Sequence, residues 1–153
     1  MASDGIVGRF AQCETWVKPA FSALSFGAEF SYARDAFDEH LELVRLRRAT
    51  VQVLIEHSGM KNIGSTLGGS VRLWRDGLDL MFSVRPIDEW GIKTIQAIRG
   101  QHRRKLSFGA DNILTQSLAP VGGTPRIIVT KAKLTEISLV DNGSFDTWLR
   151  FPR

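Results

Sequence analysis

Hydrophobic and polar positions along this chain follow two periods, and the switches between them mark out its elements. Residues 6–12 can form one short strand, in a stretch otherwise broken by Gly5, Gly8, Pro19 and Gly27. From residue 36 to 48 the spacing turns helical, with Phe37, Leu41 and Val44 on one stripe. Asp35 is placed as the N-cap of that helix, Asp38 and Glu39 fall in its first turn, and arginines close it. Residues 50–57 alternate instead. Val51, Val53 and Ile55 lie on one side and Gln52, Leu54 and Glu56 on the other, which predicts a strand. His57 continues the first set, so this parity directs it to the more buried side, where the chain breaks into Ser58-Gly59.

Residues 69–84 predict a β-hairpin. Val71 and Leu73 lead into Arg75-Asp76-Gly77, after which Leu78, Leu80, Phe82 and Val84 alternate with Asp79, Met81 and Ser83. Asp-Gly between alternating segments is a hairpin signal because the favoured tight turns need positive φ. Asp88 is placed as the cap of a further helix bearing Ile92, Ile95 and Ile98, with Gly100 after its end. Strands follow at residues 105–110, 126–130 and 133–140, with a loop at Gly122-Gly123-Thr124-Pro125. About seven strands against two or three helices predict a mainly β chain with helices (α+β). The expected architecture is an antiparallel closed β-barrel flanked by helices, in a single domain over residues 1–153.

Composition narrows this picture without redirecting it. A chain of 153 residues fits one domain. Its 43% hydrophobic and 24% charged content is that of a globular protein, not a disordered one. No apolar run reaches the roughly 18 residues needed to span a bilayer. The first residues carry neither a basic n-region nor an apolar h-region, so a secretory signal is not expected. The single Cys13 leaves no internal disulfide to form, which points to a reducing, cytoplasmic setting. The net charge is +4, and basic residues cluster at 45–48 and 99–105. Such runs usually face water. No aromatic residues interleave with the second run, so a nucleic-acid interface is not the expected reading.

Candidate chemistry is sparse. Of the three histidines, His40 stands among Asp38, Glu39 and Glu42 and reads as a surface residue, and His102 lies in the basic run. His57 differs: it ends an apolar strand beside a glycine-containing loop, where structural and catalytic roles are both open. Ser107 sits between Leu106 and Phe108, so on a strand its hydroxyl opposes two apolar anchors, and Gly109 follows. One cysteine and no histidine pair at ligand spacing speak against a metal site, and no cofactor is expected. Gly64-Ser65-Thr66-Leu67-Gly68-Gly69 lacks the lysine of a phosphate loop and reads as a turn.

Several segments taken together are more specific than any alone. Ala36-Phe37-Asp38-Glu39-His40-Leu41, Val53–Gly64 with its strand ending at His57, the hairpin at 71–84, Arg103-Arg104-Lys105-Leu106-Ser107-Phe108-Gly109, and Leu134-Thr135-Glu136-Ile137-Ser138-Leu139-Val140 follow one another in a characteristic order. In these segments the chain resembles the prohead (capsid-maturation) serine proteases of tailed bacteriophages, over about residues 30–145. It departs from their common pattern at Ser58, at Lys105 and after Val140.

That resemblance implies a herpesvirus-protease-like barrel and serine endopeptidase activity. It implies capsid protein and scaffold segments as substrates, acting inside the assembling prohead in the host cytoplasm, with a homodimer as one possible state. It makes Ser107 the nucleophile, His57 the general base and Glu136 the acid that orients it, with Asp141 in reserve. The backbone of Phe108 and Gly109, or the Asn142-Gly143 turn, is offered as the oxyanion hole. The alternative is a catalytically inactive relative acting in capsid assembly.

Overall fold

The computed structural model describes residues 5–17, 27–101, 105–141 and 147–152. In order they form β1 (Ile6–Gln12), β2 (Glu29–Tyr32), α1 (Asp38–Arg45), β3 (Gln52–Ile55), β4 (Ser58–Ser65), β5 (Val71–Asp76), β6 (Asp79–Val84), α2 (Glu89–Gln101), β7 (Lys105–Val121), β8 (Thr124–Val140) and β9 (Trp148–Arg150). The chain is therefore mostly β with two helices among the described residues, as the sequence suggests in kind. The closed antiparallel barrel is not what forms.

The strands divide into two open sheets. One is antiparallel, in the order β5-β6-β1-β9. The other is mixed and built on β8. Along one edge β8 pairs with β7, and along the other with β2 at Arg126–Val129 and then with β3 at Glu136–Leu139, both in parallel. β4 returns antiparallel on β3. The segments expected as separate strands at 126–130 and 133–140 are one strand, β8, which forms with β7 a hairpin turned at Gly122-Gly123. Both turn glycines have positive φ, 57° and 79°, the backbone that a two-residue turn of this hand requires. The 71–84 hairpin turns at Gly77, also at positive φ (61°).

Helix ends follow local chemistry. Asp88 caps α2, its carboxylate accepting the Gly91 N–H at 2.6 Å. The helix then runs to Gln101, past Gly100. Asp35 does not cap α1. Phe37 is the N-cap and makes no side-chain cap bond. At the other end Arg47 takes φ 60°, with Arg48 N–H on Leu43 O and Arg47 N–H on Val44 O. This is the Schellman arrangement with arginine where glycine is usual.

Both sheets contribute to one core. Ile6, Phe10, Leu80 and Phe82 from the first sheet join Val53, Ile55, Leu106, Ile137 and Leu139 from the second, all nearly inaccessible. Phe108 lies at its edge, with its ring within about 6 Å of Phe10, Tyr32 and Phe37. Aromatic contacts of this kind add about 0.5–1.5 kcal/mol each beyond their buried area. They anchor β7 by its inward face at the position next to Ser107.

Candidate active site

Leu106 is fully buried and Phe108 packs on the core, so Ser107 points to the opposite, outward face of β7. Its cross-strand partner is Ser138, and Gly109 faces Glu136. On the third strand of this face, Leu54 pairs with Ser138 and Gln52 with Glu136.

Strict alternation counted from Leu134 does not place Glu136 on this face. Leu134, Ile137 and Leu139 all reach the core, which two-residue spacing forbids. The register resolves the conflict. Gly109 pairs with Glu136 and Ala110 with Leu134, leaving Thr135 as an extra residue on β8. This bulge reverses the parity and turns Glu136 and Ser138 outward together.

His57 reaches the same face by a second irregularity. It does not continue the buried side of β3. Ser58 begins β4 instead of a loop, and Glu56-His57 is a two-residue turn between the strands, with φ 49° and 58°. Neither residue is glycine, and left-handed backbone costs about 1–2 kcal/mol per residue. The turn is held from outside: Glu56 N–H donates to Leu139 O at 3.0 Å, and the Glu56 carboxylate accepts the Asp141 N–H at 2.9 Å. The His57 side chain is 48% exposed and lies over the sheet end.

Its Nδ1 stands 2.5 Å from Glu136 Oε1. The other carboxylate oxygen accepts the Ser138 hydroxyl at 2.6 Å, and Ser138 Oγ in turn accepts the His57 backbone N–H at 3.1 Å. These three bonds close a ring through His57, Glu136 and Ser138. A carboxylate only accepts, so neutral His57 carries its proton on Nδ1 and leaves Nε2 with a free lone pair. Gly109 leaves room for this: a Cβ there would lie 3.0 Å from Glu136 Oε1 and 2.5 Å from Thr135 Oγ1. Ser138, buried at the centre of the ring, was not singled out from the sequence. Its place two residues after Glu136 on one strand was the available signal.

The remaining candidates separate. Asp141 meets the turn through its backbone and Glu56, and it is Glu136 that meets the imidazole. Phe108 and Gly109 lie within the β7–β8 ladder. The Asn142-Gly143 turn and His102 lie outside the described residues. No group of three or more potential metal ligands occurs among the described residues. No described helix is long and apolar enough to cross a membrane. His40 is not a surface residue. It is 4% exposed, and its Nδ1 accepts the Leu134 N–H at 3.2 Å. Burial, and secondarily Lys133, hold its pKa below the usual imidazole value.

A family model for the Caudovirus prohead serine proteases matches residues 22–148, most of the chain and all of the face just described. The chain belongs to that family. Comparison with curated protein sequences finds no match. Among solved structures, this prohead protease is similar to the bacteriophage T4 capsid assembly protease, gp21. The TM-score is 0.54 at 16% identity, over 89% of this chain and 80% of that one. At that identity the likeness speaks for the fold, and the family match speaks for serine protease chemistry.

Proposed function

We propose that this prohead protease cleaves capsid or scaffold polypeptide during phage capsid maturation, within the assembling prohead, with Ser107 as nucleophile, His57 as general base and Glu136 as the residue that orients it. The observation that carries this reading is the 2.5 Å contact between His57 Nδ1 and Glu136 Oε1 on the face that Ser107 shares. The Ser107 hydroxyl attacks the scissile carbonyl, forming the Oγ–C bond as its proton passes to His57 Nε2. The imidazolium, stabilised by Glu136, then gives that proton to the leaving amine as the C–N bond breaks. Water hydrolyses the acyl-enzyme by the same proton route in reverse. The half-exposed His57 suits an open site that admits a polypeptide.

The test is co-expression with the capsid protein and scaffold of the same phage, followed by intact-mass measurement. Trimmed products are expected with the native chain and absent with Ser107→Ala or His57→Ala. A fluorophosphonate should label Ser107 in the folded protein alone. Trimming that persists in the Ser107→Ala protein overturns the assignment. Absence of both trimming and labelling in the native chain supports the non-catalytic alternative.

A further inference from the structure

A second polar feature lies apart from this catalytic reading. Between α1, the segment after it and the β7–β8 hairpin is a recess of about 160 Å³. His40 lines it, beside Leu43 and Ile113, and so do Arg48, Lys131 and Lys133. His40 Nδ1 accepts the Leu134 N–H, so the neutral ring carries its proton on Nε2. That Nε2 is buried and has no hydrogen-bond partner among the described residues. A buried donor of this kind calls for an acceptor.

The surroundings say which acceptor. Glu39, also at the recess, is taken by Lys131 at 2.6 Å. Among the described residues no ion pair engages Arg48 or Lys133, both of which are exposed. A protonated Nε2 flanked by cations cannot ligate a metal ion, whereas it can donate to an anion. The apolar walls, Leu43 and Ile113, suit a short hydrocarbon stem behind the charged group.

We propose that this recess is a carboxylate-binding site. One oxygen accepts the His40 Nε2–H, the other faces Lys133 and Arg48, and the stem lies against Leu43 and Ile113. The apolar walls favour a carboxylate on a hydrocarbon stem over inorganic phosphate, which has no apolar part. The carboxylate can belong to an acidic side chain of a polypeptide or to a free small acid.

The test uses the full chain labelled with ¹⁵N-histidine, titrated with sodium propionate at constant ionic strength. The His40 Nε2 resonance should shift and saturate. Lys133→Gln and Arg48→Gln should each weaken binding about twofold to fivefold, as for exposed ion pairs, with unchanged thermal unfolding. A capped Ala-Glu-Ala peptide that reproduces the shift assigns a polypeptide side chain; its failure where propionate succeeds assigns a free acid. A shift that never saturates overturns the proposal, as does a proton found on Nδ1, or binding indifferent to both substitutions. Saturation by inorganic phosphate in place of propionate overturns the choice of carboxylate.

Discussion

One methyl group added at Gly109 should uncouple His57 from Glu136 with neither residue replaced. In Gly109→Ala the new Cβ would lie 2.5 Å from Thr135 Oγ1, 3.0 Å from Glu136 Oε1 and 3.5 Å from Glu136 Cγ. Relief must come from side-chain movement, because β7 is pinned by Leu106 and Phe108 on its other face. Thr135 can rotate its hydroxyl away. Glu136 can only withdraw its Oε1, and a retreat of a few tenths of an ångström lengthens the 2.5 Å bond to His57. A hydrogen bond to a charged group is worth about 1.5–3 kcal/mol, which is roughly 10- to 150-fold in rate if it is lost in the transition state. The assay is the rate of fluorophosphonate labelling at Ser107, together with capsid-protein trimming. Thermal unfolding is followed in parallel to separate misfolding from misorientation. Thr135→Ala is the control. Alone it should leave the rate near that of the native chain, and combined with Gly109→Ala it should not restore activity. A native rate in Gly109→Ala, or full rescue by Thr135→Ala, would refute the argument that the missing side chain at 109 exists to seat the carboxylate.

Three further predictions follow from neighbouring features. Ser138→Ala removes one donor to Glu136 and one acceptor for the His57 N–H. It should lower stability by about 1–3 kcal/mol in urea unfolding and slow labelling of Ser107; an unchanged midpoint and rate would remove Ser138 from the site. Burial pushes the Cys13 thiol up to about 11, so at pH 8 a disulfide reagent should react only as the protein unfolds, and rapid native labelling would contradict its place in the core. Because His40 is held below its ordinary value, the unfolded chain binds the extra proton first as pH falls below about 6.5. That contribution to stability is present above this pH and is lost as pH drops toward the folded value. The acid slope in urea midpoints should be shallower in His40→Gln, and an identical slope would assign it elsewhere.

Much of the architecture was written locally. The 71–84 hairpin and the Asp88-capped helix depend on turn chemistry and capping within a few residues, and both form. What escaped is non-local or irregular. The parallel pairings of β2 and β3 on β8 join segments roughly 80–100 residues apart, and no alternation pattern encodes the partner. β8 read as two strands because its bulges break the period and Lys131 and Lys133 interrupt the apolar run. Two open sheets around one core bury the same inward positions as a closed barrel would. The hydrophobic pattern therefore could not tell them apart. His40 was misread from its acidic neighbours. Its spacing from Phe37 and Val44, three and four residues, already placed it on the buried stripe.

The site defeated parity reasoning for a reason tied to its chemistry. A half-buried sheet sorts apolar side chains inward and polar ones outward, and such a rule makes strands, not constellations. Bringing an imidazole at a strand end, a carboxylate and a hydroxyl onto one patch required two departures from the rule. One is the left-handed pair Glu56-His57, whose cost is offset by bonds to Leu139 and Asp141. The other is the bulge at Thr135, which absorbs one residue so that Leu134 reaches the core while Glu136 faces out. Irregularities of both kinds gather at functional sites. Here they are coupled: the turn delivers the His57 backbone N–H to Ser138, and the bulge delivers Ser138 and Glu136 to meet it. Deleting Thr135 should therefore shorten a strand without dispersing the patch. It would remove the bulge and restore regular alternation with Leu134 inward and Glu136 and Ser138 outward, so His57 keeps its partner where the sheet survives. A Thr135 deletion that folds but no longer labels Ser107 would show that the bulge does more than reconcile Leu134 with Glu136, and that the site depends on the local twist it adds.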